Sequence, residues 1–216
     1  MSQVTDAGDV YESLTFPPAT TDRPYVFINM ASTIDGKILT GERDESVHDL
    51  GSAYDHELMR RIERRADAVL VGAETLRATP LKWNPQAPVR VVLSKSGDVP
   101  KEAQFLTGGE SHIAGPNGDL PFTDLADLLR QLKERGIERL LILGGSEINS
   151  QFLHAGLVDE LFLTLAPKIK LGRDVPTYAD GEPLPRELVQ NYDLVEHHVV
   201  HNEIFLRYRR VPPIPG

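Results

Sequence analysis

Cysteine is absent from this 216-residue chain, which excludes disulfides, thiolate metal sites, iron–sulfur clusters and any cysteine nucleophile. A stretch approaching the roughly 18 consecutive apolar residues of a membrane span is missing too. The opening MSQVTDAGDVYESLTF has no basic segment followed by an apolar run, so the cytoplasm is the expected location and no membrane is expected as a partner. Positive charge is in deficit: the formal net charge is −9, and nucleic acid is not an expected partner because phosphate binding needs a basic face. The arginine-rich run Arg60, Arg61, Arg64 and Arg65 lies among Glu57 and Glu63 on a predicted helix and reads as a solvated, ion-paired face. No G-x-S-x-G motif is present to support hydrolase chemistry. No G-x-G-x-x-G follows a strand, so a nicotinamide cofactor would bind outside the standard Rossmann mode. His197, His198 and His201 do not make a metal site: on a strand, positions four apart lie roughly 13 Å from each other, and the middle residue faces the other way.

What is present is an alternation of strands and helices. Hydrophobic residues make up 40% of the chain, enough for a sizeable core. Strands are predicted near 24–30, 67–72, 89–93, 111–114, 139–143, 158–165, 192–200 and 203–210, with helices near 52–65, 123–135 and 147–155. In helix 123–135, Leu125, Leu128, Leu129 and Leu132 form one stripe, Thr123 or Asp124 can cap the start and Gly136 can end it. The short apolar runs at 68–72, 89–93 and 140–144 read as buried parallel strands, and the last two strands flank His201-Asn202 as a hairpin. The expected fold is one α/β domain over residues 23–210, with a mixed, mostly parallel sheet, an antiparallel C-terminal hairpin and helices on both faces. Residues 1–22 read as a flexible N-terminal arm and 211–216 as a tail.

Hydrogen-bonding residues gather at strand exits, where an open α/β sheet keeps its ligand. PYVFINMASTIDGK at 24–37 places Asn29, Ser32, Thr33, Asp35, Gly36 and Lys37 at one such exit, although a hairpin through the Asp35-Gly36 turn, with Lys37-Ile38-Leu39 returning, fits the same residues. LILGGSEIN at 141–149 gives Gly144 and Gly145 ahead of a helix that Ser146 can cap, suited to a phosphate on free N–H groups or simply to a turn. VLVGAETLRA at 69–78 offers Thr75 and Arg77, and Ser94, Lys95 and Ser96 follow another buried strand with groups suited to the extra phosphate of NADPH. Lys168, Lys170 and Arg173 are candidate cations for a substrate phosphate.

These blocks, joined by RADAVLVGAETL, APVRVVLSKS, LILGGSEINSQFLHAGLVDEL and APKIKLGRDVPTYADGE, resemble the dihydrofolate-reductase-like riboflavin-pathway pyrimidine reductases over about residues 24–210. The resemblance implies a stand-alone reductase domain in which NADPH reduces the ribosyl chain of 2,5-diamino-6-ribosylamino-4(3H)-pyrimidinone 5′-phosphate, or of its deaminated form, to ribityl. It implies Asn29, Thr33, Asp35, Gly36 and Lys37 on the substrate and nicotinamide side, and for reduction of a protonated imine Asp35 is the candidate for stabilising that cation or relaying the proton, helped by Lys37 and Asn29. On the NADPH side it implies Gly72, Thr75, Ser94, Lys95, Gly144, Gly145, Ser146, Glu147 and Ile148. It also implies a homodimer, with Leu161–Leu165 as contact surface. Bifunctional relatives carry a zinc deaminase domain whose P-C-x-x-C this chain cannot supply. Two departures stand out: Leu143 precedes the paired glycines where the family commonly has Glu, and Arg77-Ala78-Thr79-Pro80 replaces D-D-P or D-x-P. A diverged reductase acting on a pterin or another small imine or carbonyl, and a non-catalytic nucleotide-binding module, are the alternative expectations.

Overall fold

Apolar runs too short for helices and bounded by turn residues become the centre of a sheet. The computed structural model describes residues 8, 10–43, 45, 47–78 and 83–212. In chain order these form β1 (Tyr25–Thr33), α1 (Ala53–Glu63), β2 (Ala68–Gly72), α2 (Ala73–Ala78), β3 (Val89–Leu93), α3 (Gln104–Thr107), β4 (Glu110–Ala114), α4 (Leu125–Glu134), β5 (Arg139–Ile142), α5 (Ser146–His154), β6 (Glu160–Ala166), β7 (Tyr192–Val200) and β8 (Glu203–Arg210). The eight strands make one sheet in the order β4-β3-β2-β5-β1-β6-β8-β7. Pairing is parallel from β4 through β6 and antiparallel for β6 with β8 and β8 with β7. This is the mixed α/β domain expected, down to the hairpin closed at His201-Asn202.

Each face of the sheet has its own core. Leu58 and Ile62 of α1 pack with Phe105 and Leu106 of α3 against Phe27, Val69, Val71 and Phe162. Leu128, Leu129 and Leu132 of α4 and Phe152 of α5 cover Val26, Ile28, Leu70 and Leu140. The caps follow from side-chain chemistry: the Asp124 carboxylate accepts from the Asp127 N–H at 2.8 Å, and the Ser52 hydroxyl accepts from the N–H groups of Tyr54 and Asp55. Gly136, at φ +85°, ends α4.

The structure corrects the N-terminal expectation over the residues it describes. Val10, Tyr11 and Leu14 are buried, Phe16 stacks on Phe27 with ring centroids 4.5 Å apart, and the Arg207 guanidinium donates to the Thr15 carbonyl at 2.7 Å. The arm is docked because four apolar residues in a polar stretch find the open end of the α1-side core. The arginine run on α1 helps to hold it: Arg61 donates to the Val10 carbonyl and Arg65 to that of Glu12, while Glu57 pairs with Arg60, Arg61 and Arg64.

Candidate functional site

Strand order places the site. β2, β3 and β4 wind outward on one side, β5 inserts between β2 and β1, and β6 lies beyond β1, so the C-terminal ends of the parallel strands open along one edge. A cleft of about 1250 Å³ runs there. Its wall includes Asn29 to Ala31 from β1, Gly72 from β2, Leu93 to Ser96 after β3, Ala114 to Pro116 after β4 and Leu143 with Gly145 after β5. It is large enough for two ligands side by side.

One end is built from glycine backbone and helix starts. Gly144 holds φ +86°, a conformation that favours glycine, and its carbonyl accepts from the Gly72 N–H at 2.8 Å, joining the exits of β2 and β5. A Cβ on Gly72 would lie 2.8 Å from Ile148 Cγ1, and one on Gly145 would lie 2.8 Å from Thr75 Oγ1. Gly145 caps α5 without a side-chain hydrogen bond, which leaves the first N–H groups of that helix for an anionic ligand. Ser146 does not cap the helix as expected; its hydroxyl accepts from the Asp180 N–H at 2.7 Å and ties the 177–180 loop to the cleft rim. Lys95 stands at the mouth, 92% exposed, with its ammonium 3.9 Å from Glu147. Ser94 and Ser96 line the same wall while accepting from the N–H groups of Gly97 and Asp98. Thr75, Glu147 and Ile148 also line it, whereas Arg77 turns away to the Asp98 carbonyl at 2.9 Å. These groups fit a dinucleotide: uncapped N–H groups for its pyrophosphate, and an exposed cation between hydroxyls for a further phosphate.

At the other end the structure divides the expected residues. Asn29 is half-buried and lines the cleft; Ser32, Thr33, Asp35, Gly36 and Lys37 do not. β1 runs on to Thr33 because β6 pairs with it as far as Ala166, which carries the Asp35-Gly36 turn past the cleft. The turn is real, with Gly36 at φ +81°, but Lys37 bridges to Thr177 rather than returning along β1. The Asp35 carboxylate accepts from the Thr33 hydroxyl at 2.6 Å and from the N–H groups of Leu171 at 2.8 Å and Lys170 at 3.2 Å. Those bonds, that of Thr33 first, hold its carboxyl down at about 2. Such a group is a fixed anion and a poor proton relay. The Lys37 ammonium donates to the Val175 carbonyl at 2.8 Å. Lys168 and Lys170 are spent in the same way, on the carbonyls of Leu50 and Thr40 at 2.9 and 2.8 Å, and neither these nor Arg173 lines the cleft.

Of the residues that do line this end, Arg43, His48, Leu50, Asp55, His56 and Met59 were not singled out from sequence, Ile38 was read as part of a returning strand and Arg60 as part of a solvated, ion-paired face. Asp55 lies on the same side of α1 as Leu58 and Ile62, half-buried, and interacts with the Thr164 hydroxyl of β6. Burial raises its carboxyl above the ordinary carboxylate range; the Thr164 bond opposes this, and the charge of Glu203 adds to it. A signal existed in the sequence: an acidic residue at i, with leucine and isoleucine at i+3 and i+7.

Residues 24–206 match the model of the RibD C-terminal domain. A protein of Methanothermobacter thermautotrophicus called 2,5-diamino-6-ribosylamino-4(3H)-pyrimidinone 5′-phosphate reductase is 31% identical over 212 residues, covering 82% of this chain and 97% of that one. One of the same name from Aquifex aeolicus is 30% identical, covering 74% and 84%. Among solved structures, Acinetobacter baumannii RibD superposes with a TM-score of 0.76 at 26% identity, covering 88% of this chain, which spans 59% of that longer one.

Proposed function

Since the chain belongs to the RibD C-terminal domain family, we propose that it is the NADPH-dependent reductase that turns the ribosyl chain of 2,5-diamino-6-ribosylamino-4(3H)-pyrimidinone 5′-phosphate, or of its deaminated form, into a ribityl chain. The observation that carries this reading is the single cleft with two chemically different ends: glycine backbone and uncapped helix N–H groups at one, and Asn29, Asp55, two histidines and two arginines at the other. NADPH, when bound, supplies hydride for C1′ of the ring-opened imine, whose nitrogen takes up a proton.

The chain's own residues position and polarise. Gly72, Gly144 and Gly145 let the cofactor reach the backbone, and the first N–H groups of α5 hold its pyrophosphate. Lys95, Ser94 and Ser96 take the 2′-phosphate, which favours NADPH over NADH. Asn29, at the second end, hydrogen-bonds the sugar chain, and Arg43 and Arg60 offer the cations for the substrate phosphate. Asp35 and Lys37 serve as positioning residues that fix the turn after β1 to the 168–177 loop. The active species is a homodimer in the cytoplasm.

The test is direct: purified protein with NADPH and the ribosylaminopyrimidine phosphate is followed at the nicotinamide absorbance band. Loss of absorbance with formation of the ribitylamino product is the expected result, with NADH slower by at least about tenfold. No oxidation of NADPH with either pyrimidine would remove the reductase reading.

A further inference from the structure

Five acidic side chains line the cleft among the described residues, and four of them, Glu45, Glu74, Glu147 and Asp180, are exposed. Asp55 differs. It is half-buried, lines the same cleft as Asn29, Leu50 and Met59, and interacts with the Thr164 hydroxyl of β6, which favours its ionised form. Ser52, which caps α1 through Asp55 N–H, is in turn held by Glu203, whose carboxylate accepts from the Ser52 N–H at 2.9 Å and from its hydroxyl. Glu203 and Ser52 thus anchor the first turn of α1, the turn that carries Asp55. A carboxylate offers about four lone-pair sites, so the Thr164 bond leaves room for a fork of two parallel N–H donors.

The two pyrimidines named above differ at the edge such a fork reads. In 2-amino-4(3H)-pyrimidinone the N3–H and a 2-amino N–H point the same way, two donors side by side. In the deaminated compound the 2-position is a carbonyl, and its lone pairs face any carboxylate placed there.

Resting on the reductase reading, we propose that Asp55 is the specificity-determining residue of the cleft: it grips the N3–H and 2-amino edge of the pyrimidine, so that the protein reduces the 2-amino compound before deamination and rejects the deaminated one. Both N–H donors favour the ionised carboxylate, as Thr164 does, so binding and ionisation reinforce each other.

The experiment compares parent and Asp55→Asn as full-length proteins with saturating NADPH, measuring kcat/KM on both pyrimidine phosphates and, by calorimetry, the affinity for the two ribitylamino products. The parent is expected to favour the 2-amino compounds by at least about tenfold in both measurements. An asparagine presents one acceptor and one donor, the complement of N3–H and a 2-carbonyl, so the variant should lose that preference and lean toward the deaminated compounds. Equal use of both pyrimidines by the parent, or a variant slowed on both by the same factor with its preference intact, overturns the assignment. Absent turnover with a binding preference that Asp55→Asn abolishes keeps Asp55 and removes the reductase reading; absence of binding by any of these compounds overturns both. If the variant does not fold, the parent's own preference decides.

Discussion

Asp35 shows how far a motif can be read without its partners. The S/T-x-D-G-K pattern was legible as a strand exit with a tight turn, but the direction of the aspartate is settled by Lys170 and Leu171, more than a hundred residues later in the chain. Because its carboxyl is held at about 2, below the ordinary 3.8, the native state binds fewer protons than the unfolded chain across the acid range. The stability it contributes is present above the unfolded value and is lost as pH falls through about 2. Asp35→Asn should therefore lower Tm at pH 7, with the gap to the parent closing toward pH 2. At a temperature well below melting, it should raise KM for the pyrimidine while leaving the pH profile of kcat unchanged. A variant that loses the acid limb of that profile would return Asp35 to proton transfer. Asp55 escaped attention for the opposite reason: an aspartate in the first turn of a helix is ordinary dipole chemistry, and only the fold shows that this one faces a cleft.

At the level of elements the sequence was most legible where burial is complete. β2, whose five residues are all buried, begins and ends within one residue of the predicted span, because a run of β-branched and leucine residues between polar flanks has few other uses. β1 was read three residues short. Ser32 and Thr33 look like loop chemistry, yet they are buried in the strand because β6 supplies ladder partners for both. α2 and α3, with six and four residues, are too short to show a helical period. The glycines after β2 and β5 were legible as a ligand cradle but equally as turns, and the contacts made by an added Cβ separate the two uses. Gly72→Ala would drive a methyl into Ile148 at the start of α5, a collision that costs about 1–3 kcal/mol if the helix holds its place. If the helix yields instead, its N–H groups move off the phosphate. Urea melts should show that cost, and NADPH titrations an affinity about tenfold weaker, with kcat at saturating cofactor little changed; unchanged affinity would place the pyrophosphate elsewhere.

At the scale of the molecule, no helix among the described residues covers the β6-β8-β7 end of one face of the sheet. α4 and α5 cover the centre, but beyond them Leu161, Leu163 and Leu165 of β6 stand beside Tyr208, Leu206 and Ile204 of β8, all partly exposed, with Leu194 of β7 adding to the row. A groove of about 220 Å³ runs along this face, lined by Leu161, Leu163, Tyr178, Tyr192 and Tyr208, and reaches Met30, which also lines the catalytic cleft. Contiguous apolar surface of this kind is a liability in a free monomer. A second copy would bury it in an interface of the usual size, about 800 Å² from each partner. Pairing through β6 and β8 would press on Met30 from behind and so stiffen the cleft wall that carries Asn29. Leu163→Arg places a charge in the middle of the face without touching either core. Sedimentation velocity should show the parent as a dimer and this variant as a folded monomer, and the monomer should retain NADPH affinity while its KM for the pyrimidine rises. A variant that remains dimeric would move the interface to another face, and a monomer with unchanged KM would separate assembly from the shape of the cleft.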